Sequence, residues 1–233
     1  ILAGDAFVVP LEQAHGYQDN EGLSLYNILF QPQRLELPTA DLRQLPGYHA
    51  LFSLEPYYRR KHRFQSRLRL PMAELARVTE LLERMQADLA ERRPGYRFLG
   101  VARLMELIGT LSRAYAQTRM PASRSLLRIG EVITFLETHY TEPVSLTELA
   151  DRAHMSERSL LRAFQEALGD SPIDYLIRLR VHKAAALLRQ GDVRVTEAAF
   201  DVGFSDGNYF SRQFKRIMGM PPRTFRQRAR AGA

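Results

Sequence analysis

Apolar residues in the middle of the chain recur every three to four positions, which is the spacing of amphipathic helices. The first stripe predicts a helix over 72–92, ended by Pro94-Gly95, and the second predicts a helix over 97–117. Two adjacent helices of this kind favour an antiparallel hairpin. The pattern leaves open whether the hairpin packs on its own domain or forms a dimer interface. The stripes consist of Leu75, Val78, Leu82, Met85 and Leu89, and of Leu99, Leu104, Leu107, Ile108 and Leu111.

The N-terminal residues show short β-prone runs instead, bounded by Gly, Asp and Pro. Apolar runs at 6–9 and 23–30 predict strands, and the alternation over 64–70 is typical of a strand with one exposed face. The remainder of 36–70 is ambiguous. Because two strands alone do not make a stable sheet, we expect these strands to belong to a larger β unit that begins before Ile1.

A short polar segment with one proline, residues 118–124, is the best candidate for a linker. The pattern beyond it is helical throughout and contains an internal repeat, in which 144–176 resembles 193–226 after one extra residue in the second copy. A repeat of this size indicates one supersecondary unit used twice. The matched pairs are Arg162 and Arg212, Phe164 and Phe214, Gly169 and Gly219, and Pro172 and Pro222.

Each copy predicts two helices joined by a tight turn, over about 145–168 and 195–218. Ser156 and Asp206 are suited to cap the second helix of each copy, and Gly169 and Gly219 are suited to end it. Ser145 or Thr147 is suited to cap the start of the first copy. Each copy is therefore predicted to be a helix-turn-helix motif.

The second helix of each copy keeps one polar face, and these residues are the candidate DNA contacts. Arg can bond guanine bidentately, Asn can do so with adenine, an acid can accept from cytosine, and an apolar side chain can touch a thymine methyl. An ordinary helical domain with solvated arginines is the alternative, and two matched copies disfavour it. The candidates are Arg158, Leu161, Arg162 and Gln165 in the first copy, and Asp206, Gly207, Asn208, Ser211, Arg212 and Lys215 in the second.

Charge and composition agree with a nucleic-acid partner. The formal net charge is +7 and the pI is about 9.9, with basic runs at 207–233 and 59–69. The run at 59–69 is equally consistent with a solvated face. The chain has no Cys, which excludes disulfides and thiolate sites and fits a reducing, cytoplasmic compartment. No apolar run approaches the ~20 residues of a membrane-spanning helix.

Residues 199–216 carry a specific resemblance. The string AFDVGFSDGNYFSRQFKR, followed by Gly219, Pro221-Pro222 and Phe225-Arg226, resembles the AraC/XylS family of bacterial transcription regulators. The resemblance extends over roughly 125–230. It implies a seven-helix domain in which a long helix at about 172–189 joins two helix-turn-helix motifs, whose recognition helices enter successive major-groove segments. By family position, Leu161 departs from the polar residue often found there.

The N-terminal resemblance is looser. Residues 4–10, followed by His15, resemble the second half of the cupin-like barrel with which many such regulators bind arabinose, rhamnose or similar effectors. His15, Tyr17 and Asn27 are the candidate effector-binding residues, although His15 is also plausible as a structural histidine. The earlier metal-binding motif of cupins is absent and Glu12 replaces the favoured Gly, so no metal or cofactor is expected. Segments 45–48 and 54–56 resemble sugar-responsive members.

Together these patterns predict an α+β chain. A cupin-like effector-binding and dimerisation domain over 1–117 would precede the linker 118–124 and an all-α DNA-binding domain over 125–233. The predicted function is an effector-responsive activator of carbohydrate genes. Its predicted partners are double-stranded DNA, a small molecule such as a sugar, and RNA polymerase. A second copy of the chain is expected to bind through 72–92 and 97–117. An effector-independent regulator, or a cupin enzyme with a DNA-binding tail, is the alternative; no catalytic arrangement is visible.

Overall fold

The computed structural model describes residues 1–10, 15–16, 21–35, 37–62, 67–190 and 193–231. These residues form two compact units, 1–130 and 131–233. The division falls inside a helix, α6, which spans Pro121–Thr138. The preceding helix ends at Ala116, so the predicted linker 118–124 covers the short break between the two helices and the first turn of α6. The domain boundary itself stays a prediction.

The N-terminal unit is mostly helical. A helical stretch from Pro46 to His62 changes from α to π geometry at His49–Leu54 and back to α at Glu55. Its elements are β1 (Asp5–Ala6), α1 (Pro32–Leu35), a 3₁₀ turn (Leu42–Gln44), α2 (Pro46–Tyr48), the π turn, α3 (Glu55–His62), β2 (Leu68–Arg69), α4 (Met72–Glu91) and α5 (Tyr96–Ala116), followed by the start of α6.

The strand predictions are corrected in two places. The segment 23–30 has no regular secondary structure, and Leu29 within it is exposed, so the predicted strand is wrong. The run at 6–9 contributes only Ala6 to β1, which pairs antiparallel with β2 through Asp5–Arg69 and Ala6–Leu68. β-prone residues form a strand only where a neighbour supplies backbone partners. In the part of the chain that the structure describes, this pair is the whole sheet, and it does not form the expected barrel.

The two helices predicted from the apolar stripes are confirmed as α4 and α5, which pack against each other. The connection between them turns through Arg92 and Gly95, both with positive φ angles. An ion pair of 2.7 Å joins Arg103 of α5 to Asp88 of α4. Gly100 faces Leu89 across the pair, and a Cβ on Gly100 would lie 3.4 Å from the Leu89 side chain. Gly100 therefore lies at the contact between the two helices.

The C-terminal unit consists of helices around a shared apolar core. The predicted long helix at 172–189 is confirmed as α9, and aromatic rings fill the core beneath it: Phe204 meets Phe210 at 5.1 Å, and Phe214 meets Phe210 and Phe225 at 5.4 Å each, all edge to face. Such edge-to-face pairs add stability beyond the area that they bury. The helices are α7 (Leu146–Arg152), α8 (Glu157–Leu168), α9 (Pro172–Gln190), α10 (Val195–Asp201), α11 (Gly207–Met218) and α12 (Pro222–Ala231).

Candidate nucleic-acid interface

Both predicted helix-turn-helix motifs are present, and their turns share one backbone geometry. In the first motif the Met155 amide donates to the Ala150 carbonyl at 2.9 Å, and in the second the Phe204 amide donates to the Ala199 carbonyl at 3.0 Å. The residue before each donor has a positive φ angle, 51° at His154 and 89° at Gly203. The repeat in the sequence is therefore a repeat of structure, since equivalent residues make equivalent bonds.

The two turns differ in the space around the positive-φ residue. A Cβ on Gly203 would lie 2.6 Å from the carbonyl oxygen of Thr141, so the chain passes too close for any side chain. His154, at the matching position, is exposed and carries its side chain into solvent. The second turn therefore requires glycine for both its conformation and its packing.

The predicted caps fix where each second helix begins. Ser156 accepts a hydrogen bond from the Ser159 amide at 3.3 Å, and Asp206 accepts from the amides of Asn208 and Tyr209 at 2.7 and 3.1 Å. Of the two candidates for the start of the first motif, Ser145 is the cap: it accepts from the Glu148 amide at 3.1 Å. The caps satisfy amides that a helix start leaves without partners.

Glycines with positive φ angles end both second helices. Gly169 has a φ angle of 72° and Gly219 one of 75°, and the amide of each donates to the carbonyl four residues earlier. α8 and α11 therefore start and stop at equivalent positions of the repeat, and each contains 12 residues.

The candidate DNA contacts of the first motif lie together on one face of α8. Positions 158, 161, 162 and 165 follow the helical spacing of three and four, and all four side chains are exposed, Leu161 at 37%. The opposite face carries Leu160 and Phe164, which are fully buried. The structure thus brings the predicted residues of this motif into one exposed strip.

The same arrangement recurs on α11. Phe210 and Phe214 are fully buried, while the opposite face carries a strip at positions 208, 211, 212 and 215. Asn208, Arg212 and Lys215 are exposed, and Gly207 and Ser211 are half-buried. The Ser211 hydroxyl donates to the Gly207 carbonyl at 2.8 Å, so its proton already has a partner within the helix.

Asp206 differs from the other candidate contacts of the second motif in its charge and in its hydrogen bonds. Hydrogen bonds from the backbone amides of Tyr209 and Asn208 lower the pKa of its carboxyl group, and the positive charge of Arg212 lowers it further. Asp206 is therefore ionised at neutral pH and occupied as the cap of α11. Its predicted role as a base contact competes with this structural role.

Polar contacts of α9 hold the start of the C-terminal unit in place. The Tyr175 hydroxyl donates to Glu137 at 2.8 Å, and the Arg180 guanidinium donates to the carbonyls of Tyr140 and Glu142 at 2.6 and 2.7 Å. Burial lowers the pKa of Arg180. On α8, Phe164 meets the Tyr175 ring edge to face at 6.4 Å. α9 also packs against α10 and α11, so it contacts both motifs.

Residues 149–228 match the model of a helix-turn-helix domain family. The HTH-type transcriptional activator RhaS of Escherichia fergusonii is 33% identical over 216 residues, a match that covers 91% of this chain and 72% of that protein. The chain belongs to the AraC family. It is thus a DNA-binding transcriptional activator by family.

Other similar proteins match either nearly the whole chain or less than half of it. The HTH-type transcriptional activator RhaR of Escherichia coli O1:K1 is 27% identical over 227 residues, which is 97% of this chain and 77% of that protein. A crystal structure of a probable AraC-family regulator from Rhodopseudomonas palustris is 31% identical and covers 44% of this chain and 96% of that one, with a TM-score of 0.42.

The candidate effector residues of this AraC-family chain, unlike the candidate DNA contacts, are not brought together on one element. His15 and Asn27 are exposed and lie in segments without regular secondary structure. Tyr17 lies outside the described residues. No cluster of three or more potential metal ligands occurs among the residues whose positions are described. No helix in the described ranges is long and apolar enough to cross a membrane.

A buried ion pair in the N-terminal unit escaped the sequence predictions. Glu55 is completely buried and pairs with Arg59, and burial raises the pKa of Glu55 to about 7 although Arg59 opposes the shift. Arg59 also donates to the carbonyl of Val8 at 2.8 Å. The basic run 59–69 is therefore not a uniformly solvated face, because its first arginine ties the N-terminal segment to α3. The spacing of Glu55 and Arg59, one helical turn apart, was the available signal.

Proposed function

We propose that the chain is an effector-responsive activator that reads its operator with α8 and α11 in successive major-groove segments. The observation that carries this proposal is the pair of matched, exposed polar strips on two helices with equivalent caps and turns. A helix with one solvent-exposed polar face fits the major groove, where base edges are distinguishable.

The residues of each strip take different roles by their chemistry. Arg212 and Asn208 would read base edges in the second motif, and Arg158, Arg162 and Gln165 would do so in the first. Lys215, as a point charge near the end of α11, is suited to a phosphate. Leu161 would touch a thymine methyl, because its exposed apolar surface has no hydrogen-bonding capacity.

The N-terminal unit would supply effector binding and dimerisation. The resemblance of segments 45–48 and 54–56 to sugar-responsive members supports a sugar as the effector, and the resemblance of 4–10 to cupins supports a β-rich sensor. The hairpin of α4 and α5 supports a dimer, since Met72 and Phe98 on it are 79% and 78% exposed. His15, Tyr17 and Asn27 remain the proposed effector contacts. The proposed role as a transcription activator also supports a cytoplasmic location and contact with RNA polymerase.

One observation favours the effector-independent alternative. The exposure of His15 and Asn27 differs from the burial typical of small-molecule contacts, which lie in concave sites. A regulator controlled by its expression level or by a protein partner would not need these residues to be enclosed.

Binding measurements on the full chain test the DNA-reading role. A duplex is first selected by the chain from a random-sequence DNA pool. We expect Asn208→Ala and Arg212→Ala each to weaken binding to it by about 1–3 kcal/mol and to relax the preference at one base pair each. An equal loss on selected and unrelated duplexes would assign these side chains to phosphates instead.

A thermal-shift screen against monosaccharides and sugar acids tests the effector role. A ligand of the folded chain at ~100 times its Kd adds about 2.7 kcal/mol of stability. Stabilisation by one sugar, with a change in affinity for the selected duplex, would support effector control. A stable, DNA-binding chain that no compound stabilises would favour the effector-independent alternative.

A further inference from the structure

On α11, an aromatic ring accompanies the proposed base-reading arginine. The centre of the Arg212 guanidinium lies 5.8 Å from the centroid of the Tyr209 ring, one helical turn earlier. This distance is within the range of a cation–π contact. Tyr209 is 36% exposed, so the ring stands at the surface where the polar strip begins. Tyr209 is absent from the predicted DNA contacts.

The Tyr209 ring is itself supported from the core. The buried Phe204 ring lies 6.1 Å from it and meets Phe210 at 5.1 Å. The Arg180 guanidinium also lies 5.9 Å from the Phe204 ring and donates to two backbone carbonyls. The ring beside Arg212 is therefore the outer member of a packed series that begins in α9.

A carboxylate accompanies Arg212 as well. Asp206 is held in place by the two backbone amides that it caps, and the positive charge of Arg212 acts favourably on it. Arg212 thus has an aromatic ring within cation–π distance in the first turn of α11, and the negative charge of the Asp206 cap acts on it from just before that turn. Both interactions favour an orientation of the Arg212 guanidinium toward the start of α11.

The first motif lacks this arrangement. Ser159 occupies the position that matches Tyr209, and its hydroxyl is bonded to the Ser156 cap at 2.9 Å. Among the described residues, Arg162 has neither an aromatic ring nor an acid as a partner. The ring is therefore a feature of the second motif alone and not a requirement of the helix-turn-helix fold.

We propose that Tyr209 is a positioning residue, whose ring holds the Arg212 guanidinium ready for the base that it contacts. This inference rests on the base-reading role proposed above for Arg212. An arginine that is already oriented loses less conformational freedom when it binds. The base preference at the position of Arg212 then depends on a side chain that need not touch that base.

The test measures the affinity of the full chain for the selected duplex and for its single-base variants. We expect Tyr209→Leu and Tyr209→Gln to reduce the preference at the Arg212 position by about two- to fivefold, the value of an exposed cation–π contact. Tyr209→Phe keeps the ring and should keep the preference. Phe200→Leu is the matched control, since it removes a ring that is 57% exposed on the neighbouring helix α10.

A double variant separates this inference from the role of Arg212. Two results would support the inference. Tyr209→Leu alone should change the preference at the same base pair as Arg212→Ala, and in the Arg212→Ala background it should cause almost no further loss of preference. A uniform loss on all duplexes, an additive loss in the double variant, or a loss in Tyr209→Phe would each overturn the positioning role. If Arg212→Ala itself left every base preference unchanged, the proposed reading by Arg212 would fail first. Unchanged helical circular dichroism and melting temperature identify the variants that are folded.

Discussion

The two helix-turn-helix motifs have the same backbone plan but hold it with different side chains. The first has His154 in its turn and Ser156 as its cap, whereas the second has Gly203 and Asp206. The first leaves Arg162 without a ring, and the second places Arg212 beside Tyr209. The second motif is thus the more constrained of the two, from its turn to its proposed base contact.

This difference suggests that the two motifs contribute differently to base discrimination and to affinity. A more constrained motif is suited to discriminate between bases, because its donors are oriented before binding. A less constrained motif tolerates more sequences and contributes affinity through its positive charge. The following variants test this difference, beginning with the largest expected effect.

Adding one methyl group to the turn should distinguish the motifs most strongly. Gly203→Ala is expected to cost at least about 3 kcal/mol of unfolding free energy, because the new Cβ strains a positive φ angle and collides with a backbone carbonyl. The matched variant His154→Ala, which places the same methyl group in the first turn, should alter stability by less than about 1 kcal/mol because a Cβ is already accommodated there. Urea unfolding followed by circular dichroism measures both, and similar losses would show that the turns are equally constrained.

Removing Arg162 or Arg212, which occupy matching positions in the two motifs, should affect base preference to different extents. We expect Arg212→Ala to cost about 1–3 kcal/mol, concentrated at one base pair. We expect Arg162→Ala to cost about 1 kcal/mol or less at its own base pair, because this arginine has no ring that orients it before binding. Binding to single-base variants of the selected duplex gives both profiles. A sharper profile for Arg162 than for Arg212 would contradict the proposed difference between the motifs.

A smaller effect is expected at Leu161, which stands where the second motif has Ser211. If Leu161 covers a thymine methyl, replacing that thymine with deoxyuridine should weaken binding by about 0.8 kcal/mol. In Leu161→Ala the same replacement should have no effect. The experiment scans each thymine of the selected duplex, and a chain insensitive to every replacement would assign Leu161 to spacing alone.

The smallest effect concerns the two caps and depends on pH. The pKa of Asp206 is lowered in the folded chain, so its charge stabilises the fold above the usual Asp range and the benefit disappears as pH falls through the lowered pKa. The melting temperatures of the wild type and Asp206→Asn should therefore differ at neutral pH and converge in acid. Ser156→Ala, which removes a group that does not titrate there, should lower the melting temperature by an amount that pH does not change.

The sequence predicted the C-terminal unit well because its signals are local. Helical spacing, cap residues and the matched pair of glycines all act within a few residues of one another, and α9 was found within one residue of its end. The exposed strips on α8 and α11 followed from the same spacing. Tyr209 was missed as a partner of Arg212, although a spacing of three on a helix was the signal.

The N-terminal unit was predicted less well because its structure depends on distant partners. The segment 23–30 has the residues of a strand but does not form one. The strand that does form, β1, pairs with β2, which lies more than 60 residues later in the chain. The helical stretch through the π turn lacks a regular apolar stripe, so 36–70 stayed ambiguous. The burial of Glu55 beside Arg59 likewise depends on packing that no short window of the sequence contains.

The continuous helix α9 sets a rule for how this chain can change in evolution. Each residue added to a helix advances it by about 1.5 Å and rotates it by about 100°. A single insertion in α9 would therefore turn one reading helix away from the groove that the other still faces, and compensating substitutions elsewhere would be difficult. Deletions and insertions should be rare within α9, and the spacing between the two halves of the operator should be inherited more strictly than either half's bases.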